Sequence, residues 1–558
     1  MNTKDYIVFL IYFTVIAAYG LYIYYKKKSA VQDSKDYFLA EGSLTWWAIG
    51  ASLIASNISA EQFIGMSGSG FKMGLAIAAY EWMAAVTLIV VAIFFIPVYL
   101  KNKIFTMPQF LQQRYNKTVA MIMAVFWLLL YVVVNLMSIL YLGAVAISGI
   151  SGIDIGTCIV LLSLFAIFIT LGGMKVIGYT DVIQVLVLVI GGMVAMYIAL
   201  DIIAEGKGIF TGFNNLHKGA SEHFDMIFNK EDPNYMDLPG LSVLFGGLWI
   251  ANLSYWGCNQ YITQRALGAS LPTARNGLLF AAFLKLLMPL IVVIPGIAVY
   301  YIIKNDLGVI SADSLTTSLG IQDPNKAYPV LLSLLPTGFK GLSFAALTAA
   351  IVASLAGKAN SIATIFTLDI YKQAFNKDAS EKKLVNVGKI TVIISLLLGM
   401  LLALVVGELL MGEGKQGFQY IQEYTGFVSP GIFAMFIFGF FWKKTTSNAA
   451  LFATIGGFIF SIILKFSGHL MDLKFLSAIN FAIPNAQGIY EIPFLDRMSI
   501  VFLACALGMI VISLYENKKG IKSKGLEIDP KMFKTSTTFA VVSLLIVGLT
   551  AALYIMFW

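Results

Sequence analysis

The chain has 558 residues, of which 59% are hydrophobic and only 12% charged, with a mean hydropathy of +0.82. That composition excludes a soluble globular protein and describes one that crosses a membrane many times. The net charge of +8 does not signal a nucleic-acid binder, because the basic residues lie in the connections between apolar runs, where membrane proteins carry them.

At about 20 apolar residues per crossing, about fourteen candidate spans follow in chain order: 5–24, 46–66, 74–100, 118–148, 153–172, 178–203, 241–258, 276–303, 341–369, 386–409, 418–441, 447–464, 497–515 and 537–557. The first is long and lacks a small-residue cleavage site, so it reads as a retained helix and not a signal peptide. With the N-terminus outside, the inside connections collect roughly 24 basic residues, including Lys26 to Lys28, Lys101, Lys103, Arg114, Lys443, Lys444 and the cluster from Lys518 to Lys534, against roughly 12 outside. An even number of crossings then predicts both termini outside, on the side of the long connections 204–239 and 304–337. Cys158, Cys258 and Cys505 lie in or at the ends of apolar stretches without metal spacing and read as packing residues. His217, His223 and His469 fall in polar connections and read as surface residues, which argues against a metal centre. No nucleophile–base pair is visible, so an enzyme is not expected.

A charge at the bilayer centre costs about 2.5–3.5 kcal/mol on insertion scales, so polar residues inside the spans need a reason. They are Glu61 and Gln62, Glu81, Asn135, Asp181, Asn252, Lys285, Lys358 and Asn360, and Gln422 and Glu423. Bland readings exist. Asn135 and Asn360 suit interhelical hydrogen bonds, Glu81 and Lys285 a neutralising pair, Asp181 and Glu423 a reach to the interface, and Gly65, Gly68 and Gly70 close packing. The stretch "ASLIASNISAEQFIGMSGSG" is harder to dismiss, because polar side chains and helix-weakening residues coincide at its centre. Non-helical backbone at membrane depth is tolerated only inside protein or beside a cavity, so a broken helix is expected at Asn57 to Gly65. A second interruption, "ANLSYWGCNQ", follows about 195 residues later in the seventh span, and two such breaks in corresponding places point to an inverted-repeat secondary transporter.

With these residues in view, the chain strongly resembles the sodium/solute symporter family over nearly its whole length. The resemblance runs from "DYFLAEGSLTWWAIGASLIASNISAEQFIGMSGSG" through "YEWM", "GYTDVIQV", "GGLWIANLSYWGCNQYITQR", "FAAFLKL" and "FTLDIYK" to "FQYIQEYTGFVSPGI" and "FWKKTTS". It implies an all-α membrane protein with a LeuT-like five-plus-five inverted repeat whose first helices are discontinuous. Residues 1–45 would hold an extra helix and inside loop, 46–203 the first repeat, 241–441 the second, and 442–558 three further helices.

The resemblance also implies sodium-coupled import of a hexose such as galactose or glucose across a bacterial inner membrane, with sodium as the coupled ion. It puts the sugar contacts on Gln62, Glu81, Asn252, Lys285 and Gln422, an inner gate on Tyr255 supported by Trp256 and Asn57, and an outer gate on Met66, Tyr80 and Phe418. The sodium ligands would be the carbonyls of Ala55, Ile58 and Ala350 and the hydroxyl of Ser354, with Asp181 on the exit route. Two departures stand out: Ala84 where the family has a serine, and "IVASLAGKAN", with Ala353 where a second hydroxyl is expected and Lys358 one helical turn past Ser354. They leave open a proton-coupled or uncoupled sugar or polyol carrier that uses Lys358, and a transporter-like membrane sugar sensor.

Overall fold

The computed structural model describes residues 2–26, 44–59, 61–316, 320–411, 416–479, 481–485 and 487–558. The connection 27–43, with Lys27 and Lys28, lies outside the described residues. Helix dominates because a backbone in lipid must satisfy its own amides and carbonyls. The main helices are α1 (Thr3–Lys26), α2 (Trp46–Asn57), α3 (Ser67–Met73), α4 (Ala79–Val90), α5 (Lys117–Leu129), α6 (Met137–Ser151), α7 (Ile155–Thr170) and α8 (Gly173–Ile203). They continue as α9 (Gly247–Cys258), α10 (Gln260–Leu267), α11 (Leu271–Val292), α12 (Phe339–Thr364), α13 (Glu381–Met411), α14 (Gly417–Gly426), α15 (Ser429–Phe441), α16 (Gly457–Leu470), α17 (Phe494–Lys518) and α18 (Thr537–Met556). One two-stranded hairpin pairs Ile483 with Glu491 and Pro484 with Tyr490.

Among the described residues, eleven helices are long and apolar enough to cross a membrane, twelve if the bent pair α14 and α15, which meet at 49°, is one span. By length and composition the described residues do not confirm the expected count of about fourteen. The expected span 153–172 is the short helix α7, and 46–66 is cut in two after Asn57. Hydropathy measures the length of an apolar run and is blind to a break in the backbone inside it. The helices on the periphery expose large aliphatic side chains such as Leu161, Leu401, Val405, Leu503 and Leu544, as lipid-facing surfaces do. Cys158, Cys258 and Cys505 are all buried free thiols, as packing residues should be.

The connections sort onto two faces. On one, Asn2 donates to Thr337 Oγ1 at 2.9 Å, Asp5 accepts from the amide of Gly338 at 2.7 Å, the amide of Met226 donates to the carbonyl of Phe557 at 2.8 Å, and Lys304 pairs with Glu222 at 2.5 Å. Both ends of the chain thus pack against the two long connections. On the other, Asn102 and Lys101 reach Glu527, and Ser523 Oγ donates to the carbonyl of Lys443, gathering the basic connections together. Arg114, assigned to that basic surface by sequence, is in fact buried, as is Arg275. Arg114 donates to the carbonyls of Gly439, Trp442 and Thr445, and Arg275 to those of Ala92, Met532 and Lys534. Each satisfies carbonyls at a helix end or loop, which a guanidinium with five donors does better than any other side chain.

The packing expected of Gly68 and Gly70 is present on α3. A Cβ on Gly68 would sit 2.8 Å from the carbonyl oxygen of Pro324, and one on Gly70 would sit 2.6 Å from that of Val293. Gly70→Val is therefore expected to cost about 1–3 kcal/mol by overpacking. Gly548→Ala, on α18 with nothing within 4 Å of the new methyl, should leave stability unchanged or slightly raised. Thermal unfolding of the detergent-purified variants distinguishes the two.

His223, expected on the surface, is buried. Its ring stacks on Tyr300 at 3.7 Å, and Nε2 bonds the carbonyl of Phe71 at 3.0 Å. Burial pulls its pKa below the ordinary histidine value. The folded protein therefore takes up this proton less readily than the unfolded chain, and stability present at neutral pH is lost as pH falls through about 6.5. Protection factors in the segment around residue 223, which remove the intrinsic pH dependence of amide exchange, should fall between pH 7 and 5.5 in the native protein and stay level in His223→Gln.

Candidate functional site

Two helices are interrupted where the sequence is most polar. α2 ends at Asn57, Ile58 is extended (φ −76°, ψ 101°), and a wide helical turn restarts at Glu61 and runs into α3. The break is shorter than the nine residues expected, and Gly65 lies past it, where an added Cβ would meet Phe418 Cβ at 2.8 Å. The second interruption falls at Asn259 (φ −104°, ψ 124°), between α9 and α10. Each break frees backbone groups that need partners in a place without bulk water.

Between the breaks lies a cavity open to water centres over about 80 Å³, room for several waters. Of the sugar contacts expected, Gln62, Glu81, Asn252, Lys285 and Gln422 all line it, as do Asn57, Tyr255, Trp256, Tyr80 and Phe418. Met66 is buried but does not line the cavity. Ala84 does line it, so the departure noted in the sequence falls on the site itself.

The wall is organised around Lys285, which is 1% exposed. Its ammonium donates to Glu81 Oε2 at 2.5 Å and to Asn57 Oδ1, and stands 5.3 Å from the centre of the Trp256 ring. Asn57 Nδ2 then donates to the Tyr255 hydroxyl at 3.0 Å, and that hydroxyl bonds Tyr261 OH. Tyr255 is thus held on the cavity wall by a chain of hydrogen bonds. Also on the wall, Tyr80 packs edge-on against Phe418 at 5.1 Å and donates to Gln419 at 3.4 Å. Glu81 and Lys285 are both a neutralising pair and part of the cavity wall, so the two readings of the sequence coincide.

Of the residues expected to hold sodium, Ser354 Oγ on α12 donates to the carbonyl of Ser56 at 3.1 Å. Ala55 and Ile58 flank Ser56 in the chain, Ala350 lies one turn before Ser354, and all three are buried. Asp181 does not reach an interface. It is 1% exposed, accepts from Ser52 Oγ at 2.7 Å, and lies 3.8 Å from Arg265, which also donates to Ser52 Oγ at 2.8 Å and to the carbonyl of Tyr261. Asp181 Oδ1 has no hydrogen-bond partner among the described residues. Glu423 likewise does not simply reach outward, but pairs with Arg497 and with Lys465 at 2.7 Å.

Sequence reading passed over several members of this site. Glu61 and Lys358 were conspicuous but unpaired on paper. They meet on the cavity wall at 3.8 Å, and Ser138 Oγ donates to the other oxygen of Glu61 at 2.8 Å. Ser52 and Ser56 were hidden as small residues in an apolar run; their spacing of one helical turn was the available signal. Arg265 follows the second break, and α10 carries it back into the protein. Asn135 lines the cavity, so interhelical bonding is not its whole role.

Charged and amide side chains around a cavity lined from two broken helices, in a chain of many apolar spans, define a secondary transporter and not an enzyme. The sodium:solute symporter family model matches residues 37–457, and the chain belongs to that family. It is 46% identical to the sodium/glucose cotransporter of Vibrio parahaemolyticus, over 99% of this chain and 98% of that one. It is 34% identical to the human sodium/myo-inositol cotransporter 2, over 83% of this chain and 70% of that one. In fold it matches a Na+-coupled sialic acid symporter with a TM-score of 0.75 and 21% identity, covering 94% of this chain and all of the other.

Breaking the central pair tests this geometry. Lys285→Met leaves Glu81 buried and uncompensated and should destabilise the protein by about 3–5 kcal/mol, most of which the double variant Lys285→Met/Glu81→Gln should recover. Thermal unfolding in detergent measures both.

Proposed function

We propose that the chain imports a neutral hexose, glucose or galactose, or a related cyclic polyol, together with sodium by alternating access. The observation that carries the substrate class is the charge balance of the cavity. Its two carboxylates, Glu61 and Glu81, are matched by two ammoniums, Lys358 and Lys285, so a ligand with net charge gains nothing. The amides of Gln62, Asn252 and Gln422 each offer a donor and an acceptor, which is what a ring of hydroxyls presents in return. Tyr255 and Trp256 add flat faces for the apolar side of a pyranose. A sugar lacking a matched hydroxyl leaves one of these buried groups unpaired, which is how such a site discriminates. The relatives named for glucose and for myo-inositol transport fit the same class of ring polyol.

Sodium is assigned to the carbonyls of Ala55, Ile58 and Ala350 and the hydroxyl of Ser354. Hard oxygens suit an alkali cation, and a hydroxyl that donates to Ser56 keeps its lone pairs for one. The unpartnered oxygen of Asp181 suits a path out. The protein would sit in a bacterial inner membrane, surrounded by lipid, with both termini outside and the basic connections inside. One charge moved through 100 mV is worth about 2.3 kcal/mol, or roughly 50-fold accumulation at 1.4 kcal/mol per tenfold, before the sodium gradient is added.

In proteoliposomes, labelled glucose or galactose should accumulate under an inward sodium gradient and not with choline in its place. Gln62→Ala and Asn252→Ala should each weaken sugar binding by up to about tenfold, the value of one lost hydrogen bond, with sodium binding retained. Uptake indifferent to sodium overturns the coupling.

A further inference from the structure

The Glu61–Lys358 pair has no part in the sugar contacts described above. Glu61 opens the helical stretch after the first break, and Lys358 lies on α12 one turn beyond Ser354, on the same face. Their side chains are 12% and 3% exposed, and the ammonium stands 3.8 Å from Glu61 Oε2, too far for a hydrogen bond. Its other contact is the face of Tyr261, 5.2 Å from the ring centre. This is a loose pair beside a tight one: Lys285 and Glu81 are in contact at 2.5 Å. Glu61 keeps close oxygen neighbours in Ser138 Oγ at 2.8 Å and Ser59 Oγ at 3.4 Å.

A carboxylate at this depth must have a counter-charge, and here it is attached to the chain. Without the ammonium, Glu61, two serine hydroxyls and the face of Tyr261 would form an oxygen-rich niche with one net negative charge, the chemistry that holds an alkali cation. We propose that Lys358 is a tethered counter-cation filling a second cation site built around Glu61, so that sodium is taken only at the Ser354 site. The inference rests on the sodium-symport reading and deepens it, since it fixes how many ions the cavity can take. On the backbone, Lys358 follows Ser354 by about 6 Å of helical rise, which puts its charge on the stretch of helix that carries the sodium ligand. Its neutralisation by Glu61 is then what keeps the neighbouring sodium from being repelled.

The experiment compares the native protein with Lys358→Met, Lys358→Arg, Glu61→Gln and Lys358→Met/Glu61→Gln. Sodium-dependent thermal stabilisation is read in detergent at constant ionic strength, and charge moved per sugar in proteoliposomes. Lys358→Met is expected to bind one more sodium, raising the slope of stabilisation against log sodium by one site and the charge per sugar by one. The arginine and double variants should keep the native slope. Glu61→Gln, which leaves the ammonium unopposed, should weaken sodium binding at least tenfold, and it decides the matter if the methionine variant does not fold. A methionine variant with the native slope, one that gains a pH dependence but no sodium, or a Glu61→Gln protein with native sodium affinity overturns the proposal. A native protein indifferent to sodium sinks the symport reading instead, and the inference is then judged by whether Lys358→Met alone acquires a sodium response.

Discussion

A backbone carbonyl or amide freed at mid-depth in a membrane has no bulk water to bond, and the rest of this structure follows from how the chain deals with that at two places. After Asn57 and at Asn259 the helical ladder stops. Ile54 O is taken by the amide of Ile58, and Ser56 O by the hydroxyl of Ser354. Asn259 Oδ1 accepts from the Tyr131 hydroxyl, and the carbonyl of Tyr261 from Arg265. Apart from the Ile58 amide, these bonds use polar side chains, Ser354, Tyr131, Asn259 and Arg265, that are thereby brought inward. The polar chamber is therefore both the cost of breaking two helices and the place where a hydrophilic ligand can be held.

Buried charge is handled by the same logic. Every lysine on the cavity wall faces a glutamate, and Asp181 faces Arg265. Such pairs contribute little net stability, because desolvation consumes most of the attraction. What they supply is position: Lys285 holds Asn57, Asn57 holds Tyr255, and a single ammonium thereby fixes an aromatic ring on the cavity wall.

The sequence disclosed the elements whose chemistry clashes with their surroundings. Glu81, Lys285, Gln62 and Asn252 stand out because each interrupts an apolar run, and the broken helices were legible because polar residues and glycines coincide there. Burial of residues in polar contexts was not legible. Arg114, Arg265, Arg275 and His223 sit in stretches that look like connections, and only tertiary packing turns them inward. The pairing of Glu61 with Lys358 joins segments far apart in the chain, so nothing local announced it. Met66 lies in the right stretch but not on the cavity wall, because a helical turn points successive residues in different directions and motif position alone does not say which.

The glycines of α3 bear on how the molecule could rearrange. Gly68 and Gly70 lie against the carbonyls of Pro324 and Val293, and a methyl on Gly296 would sit 1.9 Å from that of Ser67. Backbone seated this closely on backbone has no slack to tilt alone, so the half-helix, the segment around Pro324 and the start of the helix beginning at Ile294 form one stiff slab.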